Sequence, residues 1–218
     1  MDWLFLQLVD SAFPAGGFAH SNGLEAAIAF RDGVTIEQHL SELTAQAGRT
    51  ALPFVREACA TPERLAELDA LFDATTTSHV ANRASRAQGR ALVSAAGRIW
   101  TTHEGAQRIA TYARSEPAPP VHHAPVLGAI FGALGQTPEA AMAGYLHGVV
   151  RGVLSAAVRL GVVGPLEAQR LQGENARAAT HAVEISRALT SSEVSQPAPL
   201  LELYATLHDG LDARLFQS

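Results

Sequence analysis

The stretch "AMAGYLHGVVRGVLSAAVRLGVVG", residues 141–164, is the most apolar part of the chain and decides its fold. It is long enough to cross a membrane, but His147, Arg151 and Arg159 interrupt it. Because charged side chains are rare and costly in a bilayer core, the pattern favours a buried helix of a soluble protein. Glycine recurs at positions 144, 148 and 152, on one helix face, which predicts close packing against a neighbouring helix.

Helical patterns also lie on both sides of this stretch. Thr35 and Gln38 form a capping box, and the triplets Thr61-Pro62-Glu63 and Thr137-Pro138-Glu139 are typical helix starts. The segment "TSSEVSQPAP", residues 190–199, predicts a flexible linker before a last helix and tail. No stretch alternates as a strand would. We therefore predict an all-α fold, a single-domain helical bundle over residues 1–218 with roughly nine or ten helices.

Composition narrows the possible partners and compartments. Hydrophobic residues make up 47% of the 218 residues, while aromatic residues make up only 6%, which favours packed helices. A net charge of −5 supports neither nucleic acid nor an anionic membrane as a partner. Cys59 is the only cysteine, and no signal peptide is visible. We expect a cytoplasmic protein that binds neither nucleic acid nor membrane.

The chemistry-bearing residues form no recognisable catalytic motif. The chain contains no lysine and no phosphate loop, so a nucleotide site is not expected. His122 and His123 are adjacent, so on a helix their rings point in different directions and cannot share one ion. Ser21 follows His20 directly, which is a poor arrangement for a nucleophile and its base. We predict no catalytic residue, no metal site and no cofactor.

The segment "LQLVDSAFPAGGFAHSNGLEAA", residues 6–27, is irregular although helical sequence flanks it. Its proline and glycines predict a tight, fixed turn, and Phe13 and Phe18 are candidates to anchor that turn to the core. Two interpretations remain open from the residues alone. The segment is either a well-packed corner between helices or a preformed docking surface for another protein.

A small-residue face and a basic face lie side by side between Ser78 and Trp100. Alanine occupies positions 84, 87, 91 and 95, which predicts a helix deep in the bundle or at a subunit interface. Arg83, Arg86 and Arg90 form the basic face. These arginines either make ion pairs at the surface or contact a partner.

Four blocks, in order, resemble the UreF family of urease accessory proteins. The first is the D-S-x-x-P-x-G-x-F-x-H-S-x-G-x-E pattern within residues 6–27, and the second is "TSHVANRASRAQGRAL", residues 77–92. The third joins "HHAPVLGAIFGALG", residues 122–135, to "YLHGVVRGVLSAAVRLG", residues 145–161. The last is "LHDGLDARLFQS", residues 207–218. The chain departs from the family pattern at Asn22, where an aromatic residue is more usual, and at "GVVGPLEAQ".

The resemblance implies a non-catalytic scaffold, a nickel-insertion chaperone. Proteins of this family form homodimers, bind the accessory protein UreD (also called UreH) and recruit the GTPase UreG. The assembly then delivers nickel to the urease apoprotein. The motif positions that match and imply partner binding are Phe13, Pro14, Gly16, Gly17, His20, Ser21, Glu25, Arg83, Arg86, Arg159, Arg214, Leu215 and Phe216.

The end of the chain, from Ala213 to Ser218, is predicted to be a docking element more than a part of the core. Its terminal position predicts fraying unless a partner holds it, and Phe216 and Arg214 are residue types that dominate interfaces. Two other classes of protein stay possible on the sequence. One is a helical-bundle metalloenzyme or oxygenase-like protein. The other is a helical DNA-binding regulator, which would need a basic recognition helix.

Overall fold

A computed structural model describes residues 2–31 and 33–218, and this part of the chain is all-helical. It contains three short 3-10 turns, at Gly17–Ala19, Pro62–Arg64 and His208–Gly210. It also contains eleven α-helices: Trp3–Val9 (α1), Leu24–Phe30 (α2), Ile36–Thr50 (α3), Leu52–Ala60 (α4), Leu65–Thr75 (α5), His79–Ile99 (α6), Glu104–Tyr112 (α7), His123–Ala133 (α8), Pro138–Arg159 (α9), Pro165–Arg187 (α10) and Pro199–Leu207 (α11).

The all-α prediction is confirmed, while the predicted number of helices, nine or ten, is slightly low. The additional helix is α7, which begins after His103 caps its first turn by accepting from the amide of Ala106. The capping box of Thr35 and Gln38 forms as predicted at the start of α3. Proline at the first or second position begins α4, α9, α10 and α11, because its fixed φ suits the first helical turn.

The main core forms where α4 and α8 cross with their backbones in contact. A Cβ atom added at Gly128 would lie 2.3 Å from the carbonyl oxygen of Val55, and one at Gly132 would lie 2.1 Å from that of Cys59. Only glycine leaves room for such an approach. The large side chains Phe54 and Phe131 are buried around this crossing. The position of these helices therefore depends on the two glycines that let the backbones touch as well as on the large side chains packed around them.

A buried carboxylate holds the connection that leads into α8. Asp69 of α5 is fully buried and accepts hydrogen bonds from the amides of Val121 and His122, each at 2.7 Å. The hydroxyl of Tyr112 donates to the same carboxylate at 2.7 Å. Val121 has a φ of 63°, an unfavourable value for a β-branched residue. Asp69 thus fixes a strained connection before α8 begins.

Helix α9 passes through both hydrophobic clusters of the bundle. Its first half contributes Met142 and Leu146 to the main core, and its second half contributes Val153 and Leu154 to a smaller cluster with α2, α3 and α10. By length and composition α9 could span a membrane, with a mean hydropathy of 1.2 over 18 residues. Half of that window is buried against the protein itself, as in a core helix.

The three glycines of α9 do not form the one continuous close contact with a neighbouring helix that their spacing predicts. A Cβ at Gly144 would lie 3.0 Å from the Phe131 ring and one at Gly152 would lie 3.5 Å from the Asn22 side chain, whereas Gly148 has open space where a Cβ would be. Gly144, Gly148 and Gly152 instead line a cavity. The closest helix contacts use Gly128 and Gly132, and a third glycine, Gly89 of α6, on which the carbonyl of Val121 rests. Spacing alone did not distinguish these two sets of glycines.

The segment between α10 and α11 is tied to the helices that it crosses. The amide and hydroxyl of Ser191 donate to the Glu57 carboxylate at 2.8 and 3.0 Å. The amide of Ala198 donates to the side chain of Gln46 at 3.0 Å. These contacts use polar groups, as expected for a segment with few apolar residues. Its flexibility stays a prediction.

Candidate functional site

The irregular segment after α1 is a turn whose two phenylalanines point to different environments. The Phe13 ring stacks on Trp100, with centroids 6.0 Å apart and planes at 23°, and this contact anchors the turn as predicted. Gly16 has a φ of 74°, and a Cβ there would come within 3.2 Å of Ala91. Phe18 is 71% exposed, so the prediction that it anchors the turn to the core is wrong. The 3-10 turn Gly17–Ala19 directs its ring outward.

The tail, residues 211–218, runs back across this turn. The amide of Gln217 donates to the carbonyl of Ala19 at 2.8 Å, and the amide of Ser21 donates to the carbonyl of Ser218 at 2.6 Å. The Ser21 hydroxyl donates to the same Ser218 carbonyl at 2.9 Å, and His20 Nδ1 lies 2.7 Å from the Ser218 hydroxyl. Turn and tail therefore pair along their backbones although nearly 200 residues separate them.

Glu25 receives the tail at the start of α2. Its carboxylate accepts from the amides of Leu215 and Phe216, at 2.6 and 3.2 Å, and from His208 Nε2 at 3.0 Å. Glu25 and His208 are both buried, which strengthens these contacts relative to the surface. The position of the tail in the sequence predicts fraying in the absence of a partner. In this structure the tail is docked instead, and Phe216 is only 5% exposed. The chain itself supplies the binding site for its tail.

Arg159 joins the turn and the tail from the end of α9. Its guanidinium carbon lies 3.9 Å from the ring centroid of Phe18 and 4.2 Å from that of Phe216. Its Nη1 donates to the carbonyl of Phe18 at 2.6 Å. A flat, delocalised cation is well suited to such stacking. We call residues 16–21 and 211–218, with Glu25 and Arg159, the turn–tail surface.

Asp209 gathers three basic side chains beside the turn–tail surface. Arg83 contacts both carboxylate oxygens, at 2.8 and 3.2 Å, and His79 and Arg214 lie at 3.1 and 3.2 Å. The Arg83 guanidinium, with a smaller contribution from His79, lowers the pKa of Asp209 to about 2. Asp209 is thus ionised at neutral pH. Arg83 and Arg214, predicted to bind a partner, make this intrachain ion pair.

Most of the predicted site residues come together, although not in one contact. The contacts within the turn–tail surface are made by His20, Ser21, Glu25, Arg159, Leu215 and Phe216, and the neighbouring cavity is lined by Phe13, Pro14, Gly16 and Gly17. Arg86 is apart from them, since it donates to the carbonyl of Pro120. Sequence reasoning overlooked His208, Asp209 and Ser218. The ending "LHDGLDARLFQS" contained them, but nothing in it indicated that Glu25 was their receptor.

The cavity behind the turn has a volume of about 1050 Å³. His123 and Tyr145 lie in its wall with ring centroids 5.4 Å apart. Burial lowers the pKa of His123 to about 4 and raises the pKa of Tyr145 to about 12, so both are neutral at pH 7. The neighbouring ring of His122 points elsewhere, to Ser85 and Asp73 at 3.1 and 2.8 Å. The two adjacent imidazoles diverge, as their spacing predicts.

The polar groups of the turn are engaged with the tail. Burial lowers the pKa of His20, and the nearby Arg83 and His208 lower it further. The His20 ring contacts Ser218 and not Ser21, whose hydroxyl is already donated. Within residues 2–31 and 33–218, no group of three or more histidine, cysteine or acidic side chains is placed to hold a metal ion. The arrangement is suited to holding two segments in a defined shape.

Comparison with known proteins places the chain in a family. The sequence model of the UreF family matches residues 30–176. Urease accessory protein F of Arabidopsis thaliana is 36% identical over 223 aligned residues, covering 100% of this chain and 93% of that protein. Urease accessory protein UreF of Rhizobium leguminosarum bv. viciae is 29% identical, covering 95% and 92%. From these matches over nearly its whole length, the chain belongs to the UreF family of urease accessory proteins.

Proposed function

We propose that this protein is a non-catalytic scaffold for urease maturation that binds UreD/UreH through the turn–tail surface. The bound pair recruits the GTPase UreG, and the assembly delivers nickel to the urease apoprotein. The protein works in the cytoplasm as a homodimer. Membership of the UreF family supports the role in urease maturation. The observation that carries the finer proposal is the pairing of turn and tail at Glu25.

The turn–tail surface has the composition of a protein interface. Phe18 is 71% exposed and Leu215 is 51% exposed, although both belong to segments whose backbones are firmly held. Arg159 lies beside Phe18, and Arg214 is next to Leu215 in sequence. Exposed aromatic and arginine side chains on an ordered backbone are typical of interface hot spots, because little conformational entropy is lost on binding.

The proposed scaffold contributes shape and leaves the chemistry to its partners. Nickel is the cargo of the assembly, and GTP hydrolysis belongs to UreG. His20 and Ser21 contact Ser218, and Glu25 accepts from the amide of Leu215, so these polar groups hold two segments together. The purified protein should therefore hydrolyse no nucleotide and retain no stoichiometric nickel after dialysis against a chelator. One tightly held metal per chain would favour the metalloenzyme alternative instead.

The experiment that tests this proposal removes the exposed side chains and leaves the Glu25 contacts with the tail intact. A double variant, Phe18→Ala with Leu215→Ala, is compared with Leu166→Ala, which alters an 89% exposed leucine on α10. UreD from the same host should bind the double variant at least about tenfold more weakly, since hot-spot residues cost more than about 1 kcal/mol each. The control should bind normally. Normal binding of the double variant by a correctly folded protein would contradict the proposal.

The homodimer is tested separately. The glycines of α9 and part of the alanine face of α6 lie inside this chain, so they do not identify a dimer interface. Light scattering at micromolar concentration should still report about twice 22.9 kDa. A monomer over the whole concentration range, both alone and with UreD, would contradict this part of the proposal.

A further inference from the structure

Arg159 occupies a position from which it contacts both segments of the turn–tail surface at once. It is the last residue of α9, a 22-residue helix whose body lies in both hydrophobic clusters. The guanidinium lies over the Phe18 and Phe216 rings, and Nη1 bonds to the Phe18 carbonyl. A cation at a helix C-terminus is also favoured by the helix dipole. Both rings are therefore contacted by one side chain at the end of a helix whose body is buried.

The two rings differ in what else holds them. Phe216 is buried against the smaller hydrophobic cluster and is only 5% exposed, whereas Phe18 is 71% exposed. With so much of its surface in solvent, Phe18 depends on the Arg159 stack more than Phe216 does. Removing the Phe216 ring would free the guanidinium on one side and loosen its stack on Phe18. Loss of the docked tail would thus change the surroundings of an exposed side chain, that of Phe18.

We propose that Arg159 is a positioning residue that couples docking of the tail to the orientation of Phe18. When the tail is docked, Phe216 and the Phe18 carbonyl fix the guanidinium, and the guanidinium fixes the Phe18 ring in its outward position. When the tail leaves, the Phe18 ring loses that support. Arg159 thus acts through the two phenylalanines and need not touch a partner itself.

The coupling works in both directions. A partner that binds the outward Phe18 ring selects the form with a docked tail, and binding therefore stabilises the tail by the same factor by which the tail strengthens binding. This consequence rests on the proposed function, because it assumes that the turn–tail surface binds UreD. The coupling itself does not, and it is measurable in the free protein.

The test follows the Phe18 ring by fluorine NMR in full-length protein labelled with 4-fluorophenylalanine. The chain has eight phenylalanines, and Phe18→Leu identifies the resonance of interest. Arg159→Met should shift that resonance, while Arg108→Met, which alters an exposed arginine on α7, should leave it unchanged. Phe216→Leu should shift the Phe18 resonance toward its position in Arg159→Met. Arg159→Lys should restore part of the shift, because it keeps the charge but not the planar stack.

The double variant decides between coupling and a merely structural role. If Arg159 transmits the state of the tail, Phe216→Leu has no further effect on the Phe18 resonance once Arg159 is methionine. An equal effect in both backgrounds, or no effect in either, would overturn the proposal. In a separate measurement, Arg159→Met should weaken UreD binding by about tenfold, in the range expected for one cation–π contact. Coupling without that loss would refute the proposed UreD site and leave the coupling standing.

Discussion

The crossing of α4 and α8 and the turn–tail surface hold distant parts of the chain together by opposite means. At the crossing, Gly128 and Gly132 bring backbone against backbone, and the surrounding contacts are apolar. At the turn–tail surface, one carboxylate, that of Glu25, accepts three hydrogen bonds and exposed side chains remain on the outside. The first arrangement leaves no room for a larger side chain. The second is held by polar contacts, of which the three at Glu25 depend on one side chain.

The largest effect is expected from adding a single methyl group at the crossing. Gly132→Ala would place a Cβ 2.1 Å from the Cys59 carbonyl oxygen, so the helices must move apart. We expect unfolding free energy to fall by about 3 kcal/mol or more, as overpacked cores do. The measurement is urea denaturation.

Gly148→Ala is the matched control, since this glycine is also mid-helix but has open space around it. That variant should be neutral or more stable by up to about 1 kcal/mol. Equal destabilisation by both variants would show that the crossing is no more tightly constrained than α9, and the contrast between the two regions would fail.

Low pH should destabilise the protein through its buried histidines and leave the backbone contact between α4 and α8 unchanged. Burial lowers the pKa of His39 to about 4, and the nearby Glu42 carboxylate offsets only part of this effect. The unfolded chain, with a pKa near 6.5, therefore binds more protons between these values, and stability is lost as pH falls from about 6.5 to about 4. At pH 5 the neutral His39 ring lowers the free energy of unfolding by about 2 kcal/mol relative to neutral pH.

Urea denaturation at pH 7 and pH 5 measures this loss. His39→Leu should reduce the difference between the two pH values by about 2 kcal/mol. His181→Leu, which alters a side chain that is 71% exposed, should not change it. An unchanged pH dependence in His39→Leu would mean that His39 is not held neutral in the folded protein.

Removing the Glu25 carboxylate should release the tail and leave the crossing intact. In Glu25→Ala the amides of Leu215 and Phe216 and the ring of His208 lose their acceptor, and the tail amides find water instead. The global cost should be only about 1–2 kcal/mol, because a released tail avoids burying unpaired donors. Hydrogen exchange should quicken in residues 211–218 and not in α4 or α8.

Glu104→Ala, an exposed carboxylate on α7, serves as the control for that experiment. Protection of the tail that survives in Glu25→Ala would mean that the Ser21 and Ala19 contacts suffice. Lost protection throughout the molecule would make the tail a part of the core.

The smallest effect is expected at Asp209, where the ion pairs are partly exposed. Asp209→Asn removes the charge that Arg83, His79 and Arg214 share. Exposed pairs of this kind contribute about 1 kcal/mol or less, and salt screens them. The stability difference from the unaltered protein should therefore shrink in 1 M NaCl. A difference that does not respond to salt would point to the geometry of the His208–Gly210 turn rather than to charge.

The sequence predicted local features well and long-range pairing poorly. The capping box at Thr35 and the proline starts could be found because each depends on residues a few positions apart. Glycines 144, 148 and 152 have the regular spacing of a packing face, yet Gly128 and Gly132 make the crossing. In both sets neighbouring glycines are four residues apart, and only the identity of the opposing element distinguishes the sets. That information depends on the whole fold.

The candidate site divides in the same way. The motif residues His20, Ser21 and Glu25 were identified, and so was the ending of the chain. Their direct contact was not predicted, since nothing in either segment indicates a partner nearly 200 residues away. The outward position of Phe18 was also missed. Sequence reasoning treats an aromatic residue as a core anchor by default, and here the cation of Arg159 supports the ring at the surface instead.

The most direct test of the central claim is the affinity of UreD for Glu25→Ala, measured with the melting temperature of the same sample. The claim is that Glu25 assembles a partner-binding surface from two distant segments without being needed for the fold. We predict a loss of affinity of at least about tenfold with a melting temperature lowered by no more than about 8 °C, since about 1–2 kcal/mol corresponds to about 2–8 °C in a protein of this size. Unchanged affinity of UreD for a protein whose tail has been released would contradict the claim.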